Sequence, residues 1–502
     1  MKTWGFCSAL AAMLAAGAAC GQPQATIESG TLTGVDEGPA QVFRAIPYAA
    51  PPVGPLRWAP PAPAGHWTGA RPADRAGPAC PQPVTPGRPN GGGYSGPTDE
   101  DCLTLDVTTP HDAKKAPVMV WVYGGGNSAG ASNLPSYDAR NFARDGIVVV
   151  AMNYRLGPLG FFAHPALTAE APRDRALANY GLMDQIAALK WVHRNIAAFG
   201  GDPDNVTLFG ESAGGLNVLQ LMAAPSARGL FQRAIVQSGV GGEPMQDLKT
   251  AEAQGAELAT RAGLPGAQAT VEQLRALPVQ TLLAAARRAQ VVVDGRLIEE
   301  PLTVAFARGD EARVPLIIGW NSNEASLLHE FGATPAQWIA RTSAKVKAAY
   351  GEGEKEDLLA RDLFNDEVMG APARWFATEQ EAHRAPAWLY YFSYVPERQR
   401  NERLGTNHAS EIPFVFDSID AVPGRTALAT TSERAEADLA HACWVAFARE
   451  GRPDCASGRW TQFSPANGVV FEFGDDPGPR PHFREAQLNA EAAANPSLSA
   501  AP

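Results

Sequence analysis

Positive charge is scarce in this chain: 42 Lys and Arg stand against 53 Asp and Glu, a formal net charge of −11 over 502 residues. Phosphate backbones and anionic membrane surfaces call for a surplus of cations, so neither nucleic acid nor such a surface is an expected partner. Long hydrophobic runs are also missing. The main apolar stretch, residues 4–16, is short and Ala-rich, too weak for an integral membrane span. With Lys2 before it and Gly17, Ala18 and Ala19 after it, the stretch instead predicts a secretory signal peptide over residues 1–20, hence an exported, periplasmic or extracellular protein. Cys20 after Gly-Ala-Ala also resembles a bacterial lipoprotein anchor site, although the branched residue usual three positions earlier is absent. No long segment is depleted in apolar side chains and no internal repeat occurs. The 45% hydrophobic and 19% charged fractions therefore describe a chain with a substantial core.

Cysteine is sparse too. With Cys7 and Cys20 set aside, Cys80, Cys102, Cys443 and Cys455 remain, an even number in two close pairs, as an oxidising compartment permits. Three connectivities exist. Short loop closure favours Cys80 with Cys102 and Cys443 with Cys455, with two buried free thiols at 443 and 455 left open. Glycine (49) and proline (42) are plentiful, which points to many turns on a compact scaffold.

Apolar strand-like runs alternate with helical patterns from about residue 26 to 240. Residues 118–122 and 147–152 are continuous apolar runs, as expected of strands buried on both faces of a mostly parallel sheet. Residues 179–199 carry Leu182, Ile186, Leu189, Val192 and Ile196 at three- and four-residue spacing, an amphipathic helix. Residues 206–209 then form a strand, 216–222 lie on a helix, and 234–237, 314–318 and 388–394 read as later strands. This is an α/β architecture, expected as a single domain over 21–502. Ala-, Glu- and Arg-rich stretches at about 243–310 and 325–385 read as helical insertions covering the ligand end of the sheet. Residues after about 486 are expected to fray.

Gly210-Glu211-Ser212-Ala213-Gly214 fits GxSxG between a strand and a helix, where flanking glycines let the chain turn sharply and lift the Ser212 hydroxyl clear of the sheet. A serine hydroxyl is a poor nucleophile without a base and without donors for the oxyanion. Trp121-Val122-Tyr123-Gly124-Gly125-Gly126-Asn127 offers such donors at the end of a buried strand: the backbone amides of Gly125 and Gly126, joined by that of Ala213. No Walker lysine or dinucleotide-type spacing accompanies the glycines, so a phosphate loop gains no support.

Further motifs follow in order. These are Phe43-Arg44-Ala45-Ile46-Pro47-Tyr48-Ala49 with Pro51-Pro52-Val53-Gly54-Pro55-Leu56-Arg57-Trp58, Glu100-Asp101-Cys102-Leu103-Thr104-Leu105-Asp106-Val107, Asn153-Tyr154-Arg155-Leu156-Gly157, and Phe199-Gly200-Gly201-Asp202-Pro203. Together with GxSxG and the glycine triplet, this set resembles the type-B carboxylesterases, which include cholinesterases, p-nitrobenzyl esterases and related lipases. The resemblance spans nearly the whole chain after the leader. It implies the α/β-hydrolase fold, a small-molecule ester as substrate, no metal, no cofactor, and a disulfide from Cys102 back to Cys80.

It also implies the remaining catalytic groups in the order Ser, acid, His. Gly319-Trp320-Asn321-Ser322-Asn323-Glu324 resembles the acid loop and nominates Glu324, with Glu330 the nearby substitute. Gly405-Thr406-Asn407-His408-Ala409-Ser410-Glu411-Ile412-Pro413-Phe414-Val415-Phe416 resembles the histidine loop and nominates His408; His193, inside the helical pattern, reads as structural. Glu211 and Ser238 resemble family positions that support the site from behind. Two departures bear on substrate. Between Cys80 and Cys102 there is no tryptophan and Tyr94 is the single aromatic, which weakens the case for a choline ester because cation-π recognition needs a ring face. Asn127 replaces the aromatic that commonly follows the glycines, which predicts a more polar acyl pocket. The triplet itself implies tolerance of bulky alcohol groups. The rival class, a cholinesterase-like binding module without catalysis, would lack the nucleophile or the base, and this chain has candidates for both. Amides, carbamates and thioesters remain alternatives to esters within the hydrolase reading.

Overall fold

The computed structural model describes residues 22–83, 94–172, 175–240, 245–351, 353–422, 428–455 and 460–499. The leader expected over 1–20, with Cys20, lies outside the described residues.

Continuous apolar strands build one large mixed sheet. In chain order its strands are β1 (Val35–Glu37), β2 (Ala40–Pro47), β3 (Thr104–Pro110), β4 (Ala116–Val122), β5 (Val148–Met152), β6 (Gly201–Glu211), β7 (Arg233–Gln237), β8 (Leu316–Asn321), β9 (Ala387–Phe392), β10 (Val470–Phe473) and β11 (Gly478–Arg480). Their spatial order is β11-β10-β9-β8-β7-β6-β4-β5-β3-β2-β1. Pairing is parallel from β10 through to β5 and antiparallel at both margins. Val118, Met119, Val120, Trp121 and Val122 in β4 are wholly buried, which explains why that run shows no polar alternation. This sheet, flanked by helices, has the α/β-hydrolase fold.

Five helices position the site or brace the sheet around it. Helix α1 (Tyr180–Asn195) lies in the crossover leading to β6 and gives way to a short 3-10 turn over Ile196–Phe199, which ends where Gly200 takes φ 80°. Helix α2 (Ala213–Ala223) follows β6 with Ser212 at its N-cap. Helix α3 (Ala371–Ala382) packs against β8 and β9, the strands it connects, rather than serving only as a cover. Helix α4 (Thr431–Glu450) starts with a Thr430/Glu433 capping box and ends at Gly451 in the left-handed region, as a Ser/Thr-x-x-Glu start and a glycine stop dictate. Helix α5 (Glu485–Ala494) corrects the expectation of a frayed tail. Leu488, the helix's one bulky apolar side chain, is fully buried over Gly370, and buried Glu491 accepts from the Tyr350 hydroxyl. A short helix, Pro496–Ser499, continues it.

The stretch 243–310 holds helices Leu248–Arg261, Val271–Arg275, Val279–Ala285 and Leu302–Arg308, with a two-residue parallel ladder pairing Gln246–Asp247 to Val292–Val293. Asn179, at the start of α1, fastens that ladder: its side-chain oxygen accepts from the Val292 amide and its nitrogen donates to the Val292 carbonyl. Disulfides join Cys80 to Cys102 and Cys443 to Cys455, so the thiols at 443 and 455 are not free. Two disulfides fit an oxidising, exported setting. Among the described residues no helix is long and apolar enough to cross a membrane.

Candidate active site

Five neighbouring parallel strands, β4, β6, β7, β8 and β9, release loops at one end of the sheet, and every candidate catalytic residue lies on one of those loops. Carboxyl ends of parallel strands are where α/β sheets present ligand-binding groups.

After β6, Ser212 adopts φ 55° and ψ −127°, a conformation that L-residues occupy only under constraint from their surroundings. The constraint is visible. The Ser212 amide donates to the Gln237 carbonyl at 2.8 Å, and its own carbonyl accepts from Leu216 in the first turn of α2. A side chain at Gly214 would collide with the carbonyls of Val122 and Tyr123, so the glycine of the motif allows α2 to start against the end of β4. The same approach brings the glycine loop to the serine: a Cβ at Gly124 would stand 2.6 Å from Glu211 Oε2 and 2.9 Å from Ser212 Cβ. Gly125 has φ 100°, open only to glycine, and Gly125, Gly126, Ser212 and Ala213 all keep partial exposure while Gly124 and Glu211 are buried.

The acid and histidine loops are stitched together. Asn323 donates from its backbone to Thr406 and from its side chain to Asn407 Oδ1, Thr406 donates to Ser322 Oγ, and His408 donates its backbone amide to Ser326 Oγ. Across that seam Glu324 Oε2 lies 2.6 Å from His408 Nδ1. The other oxygen, Oε1, accepts from Ser238 Oγ at 2.5 Å and from the Asn321 amide at 2.7 Å. Glu324 is wholly buried, and a carboxylate there can only accept, so the Nδ1 proton points at it and Nε2 is left for other chemistry. Nε2 faces Glu211: it lies 3.1 Å from Oε1.

Two buried glutamates thus flank one imidazole, and the charge of a third, Glu411, also reaches it. Burial alone would lower the His408 imidazolium, but the charges of Glu211 and Glu324, with the Glu324 hydrogen bond, outweigh it and push His408 up to about 10. Burial also pushes Glu211 above the ordinary carboxylate range, with the His408 charge opposing and Glu411 and Glu324 reinforcing the rise. Burial also raises Glu411. Nothing in the histidine-loop motif gives Glu411 a role, yet its carboxylate accepts from Gln237 Nε2 at the end of β7 and from Asn321 Nδ2 at the end of β8. Its type and its spacing from His408 are plain in the sequence, but its partners lie 90 and 174 positions upstream.

Other candidates fall away. Glu330 is exposed and lies 3.9 Å from His329, and His193 is exposed on α1. Tyr94 is buried, and its hydroxyl donates to the Pro97 carbonyl, so its ring is held inside its own loop rather than offered as a platform. The Asn127 side chain is also turned inward, onto Asn217 of α2, so its amide does not provide the polar acyl pocket expected of it.

A sharp strand-turn-helix passage through Ser212, a glycine loop beside it and a carboxylate–imidazole pair thus lie on neighbouring loops at one end of an α/β sheet. The sequence matches the Carboxylesterase family over residues 21–361 and 337–490, and the chain belongs to that family of carboxylic ester hydrolases. It is 36% identical over 488 residues to fumonisin B1 esterase of Sphingopyxis macrogoltabida, covering 90% of this chain and 86% of that protein. It is 34% identical over 477 residues to para-nitrobenzyl esterase of Bacillus subtilis (strain 168), covering 87% and 92%. Among solved structures it resembles a PNB esterase at TM-score 0.80 and 30% identity over 94% of this chain and 100% of that one. A Geobacillus stearothermophilus carboxylesterase at pH 6.2 superposes at TM-score 0.82 and 30% identity, over 93% and 99%.

Proposed function

We propose that the protein hydrolyses small-molecule carboxylic esters through an acyl-enzyme on Ser212, with His408 as base, Glu324 as its orienting acid, and the amides of Gly125, Gly126 and Ala213 as the oxyanion hole. The observation that carries the reading is the 2.6 Å contact from Glu324 to His408 Nδ1, which leaves the opposite ring nitrogen toward the residue preceding Ser212. Ser212 Oγ adds to the ester carbonyl as His408 Nε2 takes its proton, and the carbonyl electron pair moves onto oxygen, where the amides receive it. Collapse expels the alcohol with that proton. Water then repeats the sequence on the acyl-enzyme and releases the acid.

Glu211 and Ser238 support the site without touching the scissile bond, Glu211 through its charge beside Nε2 and Ser238 by holding the rear oxygen of Glu324. The inward-turned Tyr94 argues against choline esters, and the glycine triplet favours acceptance of bulky alcohol groups. The leader and the two disulfides support export, which the amino terminus of the mature chain would test.

Stopped-flow hydrolysis of a p-nitrophenyl ester tests acyl-enzyme formation. A stoichiometric burst of p-nitrophenol followed by a slower steady state is expected where deacylation limits turnover. Where the burst is absent, quenched-flow mass spectrometry should find the acyl group on the Ser212 peptide, and a turning-over enzyme without any acylated species would contradict the reading.

A further inference from the structure

The glycine loop and the nucleophile come from different strands, β4 and β6, yet an oxyanion hole works only when its donors sit within about half an ångström of their position relative to the attacking oxygen. Beside the close approach at Gly124 and Gly214, a side-chain pair spans the two. Asn127 directly follows the three glycines, and Asn217 lies on α2, five residues beyond Ser212. Asn217 Nδ2 donates to Asn127 Oδ1 at 2.8 Å, and Asn127 Nδ2 donates back to Asn217 Oδ1 at 3.3 Å. Asn127 is 4% exposed and Asn217 is fully buried, so each amide is the other's replacement for water.

Asn127 is further fixed from the backbone. Its φ is 53°, and its carbonyl accepts from the Gly157 amide at 2.7 Å. The loop closes on itself beside it, with Ser128 and Ala129 both donating to the Gly125 carbonyl. The loop is thus tied together by its own backbone, and the reciprocal amide pair joins it to the helix carrying the serine.

We propose that Asn127 and Asn217 form a positioning clamp that registers the Gly125 and Gly126 amides against Ser212, so that the pair acts on the transition state without touching the substrate. The clamp rests on the reading of those amides as the oxyanion hole. A device of this kind has a specific thermodynamic signature: removing one amide leaves the other buried and unpaired, so losing both is no worse than losing one.

The test uses Asn217→Ala, Asn127→Gly and the double variant, with wild type and Ser212→Ala as controls. Asn127→Gly keeps the loop conformation, because glycine accepts φ 53° without strain, and it remains a valid probe if Asn217→Ala does not fold. Steady-state kinetics on p-nitrophenyl butyrate are read beside inhibition by an aryl trifluoromethyl ketone. Addition of Ser212 Oγ to that ketone, with the serine proton passing to His408, leaves an alkoxide where the oxyanion would be. Each single variant is expected to lose about 10- to 100-fold in kcat with KM changed by less than about 3-fold, and the ketone's inhibition constant should rise in step. The double variant should match the worse single. Folded single variants with kcat within about 2-fold of wild type, losses that multiply in the double variant, or unchanged ketone affinity would overturn the clamp. Turnover surviving in Ser212→Ala would instead overturn the catalytic reading beneath it.

Discussion

His408 Nε2 stands 3.1 Å from Oε1 of Glu211, the residue immediately before the proposed nucleophile, while Nδ1 is engaged by Glu324 on the other side. The imidazole is thus held between two carboxylates with a third, Glu411, behind them. Such an arrangement favours the imidazolium that forms when the serine gives up its proton. It also delays the appearance of the neutral base.

That delay sets the pH dependence. The raised His408 value means the ring stays protonated over a wider range than a free histidine, whose pKa is about 6.5, so the base form appears only as pH climbs. The rising limb of kcat/KM against pH should therefore lie above about 6.5. Glu211→Gln removes one of the three carboxylate charges that hold the proton, and the limb should move down by about one unit. A limb that stays in place, or moves up, would show that Glu211 is not coupled to the base.

Glu324 lies 2.6 Å from His408 Nδ1, the contact by which the proposed acid would fix the ring tautomer. Glu324→Gln keeps the volume but replaces an obligate acceptor with a group that can present a donor to Nδ1, and kcat should fall by about 10³- to 10⁴-fold with the fold intact. Ser238→Ala removes only the hydroxyl on the rear oxygen and should cost far less. Parallel kinetics and circular dichroism on both variants check this. Near-wild-type turnover in Glu324→Gln would transfer the acid's role elsewhere.

Arg155, in the Asn-Tyr-Arg-Leu-Gly motif, makes a bidentate pair with Asp184 of α1, with both distances 2.8 Å and both side chains almost wholly buried. Arg155 also donates to the carbonyl of Ala59, just after the N-terminal motif, so the pair joins that segment to the strand loop whose Gly157 holds Asn127. Asp184→Asn strands a buried guanidinium and should destabilise by about 3–5 kcal/mol, whereas Arg155→Met with Asp184→Leu should cost less because no charge is left unpaired. Urea midpoints of the two variants give the comparison. A milder effect in Asp184→Asn than in the double variant would contradict it.

Much of the fold and site is legible in the sequence because the chemistry constrains residue type at sharp structural boundaries. Val206, Leu208 and Phe209 run into Gly210, and only a strand, a tight turn and a helix make physical sense of that passage into Ser212 and the apolar stretch beyond it. Phe416, at the end of the histidine motif, packs at 5.7 Å on Phe209 and 5.1 Å on Trp121 beneath the nucleophile. Sequence order alone cannot reveal that contact. Asn127 reads as a polar lining for a pocket because nothing local announces Asn217 as its partner 90 residues on. The tail misleads for a similar reason: its small residues predict fraying unless Leu488 finds a cavity, and Gly370 with Trp320 provides one. Local pattern reads elements and reactive groups, and long-range pairing decides which of them are buried.

Labelling with a fluorophosphonate, followed by peptide mapping, tests the central claim most directly. One adduct per chain on the Ser212 peptide is expected, with turnover lost in step with labelling and both label and activity absent in folded Ser212→Ala. An adduct on another residue that tracks inactivation, or ester turnover persisting in Ser212→Ala, would contradict the account.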